Sequence, residues 1–128
     1  MADLDKWNGT GLVRLNKALF CSLKGLSAAW VHESAFRQEL VFLALLMPIP
    51  IFGNYLPIEK VMMGASLILL LVVELINSAI EAVVDRVGTQ WHILSGRAKD
   101  LGSASVFMTF LLDIKHLDTK KPPFFIYL

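Results

Sequence analysis

The chain has 128 residues, of which 55% are hydrophobic and 18% charged, with a formal net charge of +1. Its mean hydropathy of +0.60 is too high for an ordinary soluble domain of this length and indicates one small integral membrane domain. The near-zero charge provides no field that would favour nucleic acid, so no such partner is expected, and the single cysteine excludes an internal disulfide.

Residues 9–32 show the periodicity of an amphipathic helix. Six apolar side chains fall on one stripe about 80° wide: Leu12, Leu15, Leu19, Leu23, Leu26 and Trp30. Arg14, Lys17 and Lys24 lie on the opposite side. This pattern predicts a helix at the membrane interface, with its basic residues near lipid head groups. The alternative is a core-facing helix of a soluble bundle, which has the same pattern.

Two membrane spans are predicted next, near residues 36–57 and 61–85. Residues 40–58 carry no charge, a length that crosses a hydrocarbon core of about 30 Å. Pro48, Pro50 and Pro57 predict that the far end of this span breaks into a turn.

Polar residues interrupt the second span at a regular interval. At about 100° per residue, Glu74, Asn77, Glu81 and Asp85 fall within about 80° on one helical face. A carboxylate within a membrane helix costs about 2.5–3.5 kcal/mol on insertion scales, so it is retained where it meets a partner, a metal or a polar cavity. This face is therefore the candidate functional site.

A third, atypical span is predicted near residues 98–113, followed by a charged tail over residues 113–128. The apolar stretch 101–112 is short, and Asp113 would lie about 18 Å into the bilayer, at a cost of about 3 kcal/mol. Five basic residues precede the uncharged stretch 40–58 and three lie in the polar connection 85–100, against one, Lys60, in the link between the two spans. This bias predicts a multi-pass protein whose N-terminus is cytoplasmic.

Three segments resemble the prokaryotic diacylglycerol kinases: residues 28–39 (AAWVHESAFRQE), 74–86 (ELINSAIEAVVDR) and 95–104 (SGRAKDLGSA). The resemblance covers roughly residues 9–106, and the Glu-x-x-Asn-x-x-x-Glu-x-x-x-Asp pattern within the membrane is its most specific part. It implies an all-α protein of the bacterial inner membrane, with a surface helix and three transmembrane helices, assembled as a homotrimer. It further implies transfer of the γ-phosphoryl group of MgATP to diacylglycerol, which yields phosphatidic acid.

The resemblance also assigns roles by position. Glu74 would be the general base, with Asn77 beside it as a catalytic residue, and Glu33 and Glu81 would hold Mg²⁺. The implied ATP-binding residues are Arg14, Cys21, Glu33, Glu81, Gln90, His92, Lys99 and Asp100. The implied lipid-substrate residues are Arg14, Trp30, Glu39, Glu74 and Ser103. Cys21 and Gln90 depart from the family pattern, which tends to have an aromatic or acidic residue there.

Two alternatives remain open from the sequence. An undecaprenol kinase would use the same residues on a longer isoprenoid alcohol. A catalytically impaired membrane protein, whose polar face merely holds a helix bundle together, would fit the atypical third span.

Overall fold

The computed structural model describes residues 11–118, and every regular element in that range is an α-helix. In chain order the helices are α1 (Leu12–His32), α2 (Ser34–Leu46), α3 (Pro48–Phe52), α4 (Pro57–Val87) and α5 (Ile93–Leu117). The predicted all-α class is confirmed over the described residues. Residues 9–10 of the predicted surface helix and residues 119–128 of the predicted tail lie outside them.

The chain divides into two compact units, Met1–Ser34 and Ala35–Leu128. The described part of the first unit is essentially α1, and all six residues of its predicted apolar stripe are exposed. The helix ends at His32. The next residue, Glu33, has an extended backbone, and its N–H donates to the carbonyl oxygen of Ala29 at an N···O distance of 2.9 Å. The interfacial position of this helix in a membrane stays a prediction.

The second unit begins with two helices that are separated by a break at Met47. Pro48 has no N–H to donate to a preceding turn, so α2 stops and α3 starts one residue later. After α3 the chain leaves the helical conformation until Pro57, which occupies the first turn of α4. The Glu59 carboxylate accepts the N–H of Leu56 at 2.9 Å and so caps this helix. The turn that the prolines predict is thus present.

The core of the second unit lies between α4 and α5, which pack as an antiparallel pair. Met63, Leu67 and Leu70 are at most 3% exposed and lie on one face of α4 at intervals of three and four residues. This spacing is typical of a helix that packs along one stripe. Phe42 of α2 joins this core from the side, because its ring centroid lies 5.6 Å from that of Phe110 on α5.

The helix α5 is longer at both ends than the predicted span over residues 98–113. It starts at Ile93, where the His92 ring nitrogen Nδ1 accepts the N–H of Leu94 at 3.1 Å, and it continues to Leu117. Asp113 therefore lies inside the helix, one turn before its end. It is fully buried rather than exposed to lipid.

Two helical segments of the described residues are long and apolar enough to cross a membrane: Ser34–Phe52, with a mean hydropathy of 1.5, and Pro57–Val87, with 2.3. Only 11% and 22% of the most apolar 18 residues of these two segments is buried within the chain, whereas the core helix of a soluble protein is mostly buried. The helix α5 does not reach the same hydropathy. Its 25 residues nevertheless give it a length of about 37 Å.

The α4–α5 core yields a stability prediction. Leu67→Ala should lower the free energy of unfolding by about 2–5 kcal/mol, because Leu67 is fully buried and its removal leaves a cavity. Leu69→Ala is the matched control, since Leu69 is 43% exposed on the same helix and should cost less than about 1 kcal/mol. Denaturant titration in detergent micelles measures both. Equal losses would contradict the described packing face.

Candidate functional site

The polar face of α4 changes in accessibility along the helix. Glu74 and Asn77 are 4% and 8% exposed, Glu81 is half-buried and Asp85 is exposed. Because α4 is continuous from Pro57 to Val87, the 11 residues from Glu74 to Asp85 span about 16 Å along its axis. The face therefore runs from the solvent-exposed end of the helix to a carboxylate deep within its apolar part.

Asn77 links this face to the neighbouring helix. Its side-chain nitrogen Nδ2 donates to Glu81 Oε1 at 3.1 Å, and its Oδ1 is buried with no hydrogen-bond partner among the described residues. Oδ1 lies against Gly102 of α5, so close that a Cβ at that position would overlap it. The Asn77 amide is thus held by Glu81 on one side and by the backbone of α5 on the other.

An ion pair closes the exposed end of the α4–α5 hairpin. Lys99 Nζ lies 2.7 Å from Asp85 Oδ1, and the two side chains are 40% and 66% exposed. Lys99 is a predicted ATP-binding residue, and in this structure its charge is paired with the Asp85 carboxylate. The pair is accessible to water and can be exchanged for another anion at low cost.

The loop between the two helices forms an open cavity of about 630 Å³. Gln90 and His92, two predicted ATP-binding residues, line it together with Trp91. His92 also caps α5 through its ring, a structural role that its position in the sequence did not reveal. Asp100 and Ser103 follow on the exposed side of α5.

Four of the predicted site residues belong to the N-terminal unit. Arg14, Cys21 and Trp30 are exposed on α1, and Glu33 is half-buried at its end. The other predicted site residues belong to the second unit: Glu39, Glu74, Asn77, Glu81, Gln90, His92, Lys99, Asp100 and Ser103. Among the described residues, no three His, Cys, Asp or Glu side chains gather into a group that could hold a metal ion.

A second buried polar group, deeper in the hairpin, was missed by the sequence analysis. Asp113 is completely buried and faces the Ser66 hydroxyl of α4 and the ring of His116. Both Asp113 carboxyl oxygens lack a hydrogen-bond partner within residues 11–118, because the Ser66 hydroxyl donates to the Met63 carbonyl oxygen at 3.0 Å. The carboxyl of Glu39 lies near those of Glu74 and Asp113.

The spacing of residues along α5 was the signal that could have revealed this burial. Gly102, Thr109 and Asp113 are its buried residues, separated by seven and four positions, which places them on one face. Asp113 therefore continues the stripe that packs on α4 and does not begin a charged tail.

Comparison with known proteins identifies the family. Residues 20–115 match the profile of the family described as prokaryotic diacylglycerol kinase. The diacylglycerol kinase of Escherichia coli (strain K12) is 48% identical over 107 residues, which cover 84% of this chain and 88% of the relative. That of Haemophilus influenzae is 47% identical over 103 residues, which cover 80% and 87%. The chain therefore belongs to the prokaryotic diacylglycerol kinase family, as the sequence motifs predict, and is a membrane enzyme of the kinase class.

The family match extends into the last turn of α5. It reaches residue 115, nine positions beyond the point near Val106 where the motif resemblance ends. Asp113 thus lies within the region of similarity, as part of the packed helix.

The burial of Asp113 without a partner yields a second prediction. Asp113→Ala should raise the free energy of unfolding by about 1–3 kcal/mol, because it removes a polar group whose desolvation no hydrogen bond offsets. Thr109→Ala is the control on the same buried face, since the Thr109 hydroxyl already donates to the Ser105 carbonyl oxygen at 2.9 Å, and it should give no gain. Denaturant titration in micelles compares the two. A loss of stability in Asp113→Ala would show that the carboxyl makes a favourable interaction.

Proposed function

We propose that this member of the prokaryotic diacylglycerol kinase family transfers the γ-phosphoryl group of MgATP to the hydroxyl group of diacylglycerol, which forms phosphatidic acid and ADP. The observation that carries the proposal is the burial of Glu74, 4% exposed, on the same face of an apolar helix as Asn77 and Glu81. A carboxylate retained there at a cost of about 2.5–3.5 kcal/mol needs a chemical reason.

In the proposed reaction Glu74 is the general base. As the hydroxyl oxygen of the lipid bonds to the γ-phosphorus, the bond from that phosphorus to the bridging oxygen of ADP breaks, and Glu74 accepts the hydroxyl proton. Such a transfer depends mainly on positioning and on neutralising the charge of the phosphate oxygens. The depth of Glu74, about 16 Å from Asp85, suits an acceptor that reaches the site from the bilayer.

On the family resemblance, the proposed metal is Mg²⁺, with Glu33 and Glu81 as its carboxylate ligands. The donor set fits, because Mg²⁺ takes oxygen ligands and commonly combines one or two carboxylates with phosphate oxygens and water. Glu81 receives one hydrogen bond among the described residues, at Oε1 from Asn77, which orients its carboxylate. The ion, when bound, would neutralise charge on the transferred phosphoryl group.

The proposed nucleotide site lies at the exposed end of the hairpin. Lys99 has the charge to bind a phosphate, and Gln90 and His92 line the cavity in the loop between the two helices. Arg14, Cys21 and Asp100 complete the proposed set on the family resemblance. When ATP binds, Lys99 would exchange its contact with Asp85 for phosphate oxygens.

We further propose a homotrimer in the bacterial inner membrane, with the N-terminus cytoplasmic. The bias of basic residues supports this orientation, and the family resemblance supports the assembly. The segments Ser34–Phe52 and Pro57–Val87 would be the first two spans. The third would be α5, whose length of about 37 Å exceeds the hydrocarbon core of about 30 Å and whose Asp113 faces protein.

One of the two alternatives is disfavoured, and the other is left to experiment. A damaged third helix, the basis for a catalytically impaired protein, is disfavoured by the uninterrupted α5 and by the family match to residue 115. An undecaprenol kinase would use the same groups in the same order. The two functions differ in the lipid that accepts the phosphoryl group, and an assay with both lipids distinguishes them.

The central test offers diacylglycerol or undecaprenol to the purified protein in mixed micelles with MgATP. Phosphate should appear on diacylglycerol, and Glu74→Gln should reduce kcat by about 10²–10⁴-fold, since general-base catalysis contributes that much. Glu59→Gln is the matched control on the same helix, because Glu59 caps its first turn and the amide oxygen preserves that role. Transfer only to undecaprenol would establish the alternative kinase. Absence of transfer by folded protein would overturn the proposal.

The metal assignment has its own test. Glu81→Gln should raise the Mg²⁺ concentration at half-maximal activity by about tenfold or more, because the amide is a weaker ligand than a carboxylate. Titration of Mg²⁺ at fixed ATP measures this, with Glu59→Gln again as the control. An unchanged Mg²⁺ dependence in an active Glu81→Gln variant would remove Glu81 from the metal site.

A further inference from the structure

Gly102 is the place where the backbone of α5 comes closest to the candidate site. A Cβ built on it would overlap Asn77 Oδ1 and lie 3.2 Å from Asn77 Cγ, which is tighter than ordinary packing. A Cβ on Gly96, earlier on the same helix, would meet nothing within 4 Å. Glycine costs about 1 kcal/mol relative to alanine inside a helix, and Gly102 does not have a positive φ that would require it. Space for Asn77 is therefore the physical reason for glycine here.

The contact determines which way the Asn77 amide points. With Oδ1 against Gly102, Nδ2 is directed along α4 to Glu81 Oε1 at 3.1 Å. Asn77 is only 8% exposed, so little water is available to satisfy another orientation. A methyl group at position 102 would push the amide away from α5 and move the group that holds Glu81.

We propose that Gly102 is a positioning residue for phosphoryl transfer, which acts through Asn77 on the carboxylate of Glu81. The inference rests on the proposed function, in which Glu81 holds the metal. Gly102 itself touches neither substrate nor metal. A displacement of about 1 Å at a reacting group can reduce the rate by about 10²-fold. A shift of Asn77 and Glu81 caused by an added methyl group on α5 would therefore slow the reaction.

The experiment compares Gly102→Ala with Gly64→Ala in the micelle assay. Gly64 lies on α4, where a Cβ would meet only the Met47 sulfur at 4.0 Å, an ordinary contact. Gly102→Ala should lower kcat by about 10–100-fold and raise the Mg²⁺ concentration at half-maximal activity, with an unchanged KM for diacylglycerol. Gly64→Ala should remain within about twofold of the wild type, since its added methyl group displaces nothing.

A double variant separates positioning from simple packing. Asn77→Ala removes the oxygen that the methyl group would meet, so adding Gly102→Ala to it should cost no further stability and no further activity. A purely structural glycine would leave kcat and the Mg²⁺ dependence of folded Gly102→Ala at wild-type values. That result, or activity losses that multiply in the double variant, would overturn the inference alone. If the wild type phosphorylates neither lipid, the proposed function fails, and this inference fails with it.

Discussion

The packing of α4 on α5 is the interaction on which the rest of this structure depends. Residues progressively later in α4 contact residues progressively earlier in α5. Ser66 faces Asp113, Asn77 contacts Gly102, and Asp85 pairs with Lys99. These three contacts lie at successive depths in one antiparallel register. The same face that buries Leu67 and Leu70 therefore also carries the candidate site, so core and site cannot change independently.

The register also explains how polar groups are accommodated in so apolar a chain. A polar group that faces lipid has no partner, whereas one between two helices can meet a side chain or a backbone. Asn77 is accommodated in part: its Nδ2 donates to Glu81, while its Oδ1 lies against Gly102 without a hydrogen bond from the described residues. Accessibility then increases along the face, from buried Glu74 to exposed Asp85.

Much of the fold and part of the site could be predicted from residue spacing within single helices. The amphipathic stripe of α1, the proline-directed turn before α4 and the shared face of Glu74, Asn77 and Glu81 all follow from a period of 3.6 residues. Contacts between helices could not be predicted this way. Gly102 against Asn77 and Lys99 against Asp85 depend on how far one helix slides along the other, and no single-helix pattern encodes that distance. The charge of Asp113 predicts the start of a polar tail. Its position relative to Gly102 and Thr109 predicts burial instead, because intervals of seven and four residues place all three on one helical face.

The enclosed Asp113 bears on how the chain is made. A lone α5 entering the bilayer would expose the Asp113 carboxyl to acyl chains, with Lys115 two residues further on. If α4 and α5 leave the translocation machinery as a pair, the carboxyl is covered before it meets acyl chains. Synthesis runs in the favourable direction, because α4 emerges from the ribosome first and is waiting when its partner arrives. Insertion of α4 and α5 together as one hairpin would therefore avoid the cost of exposing Asp113 to lipid.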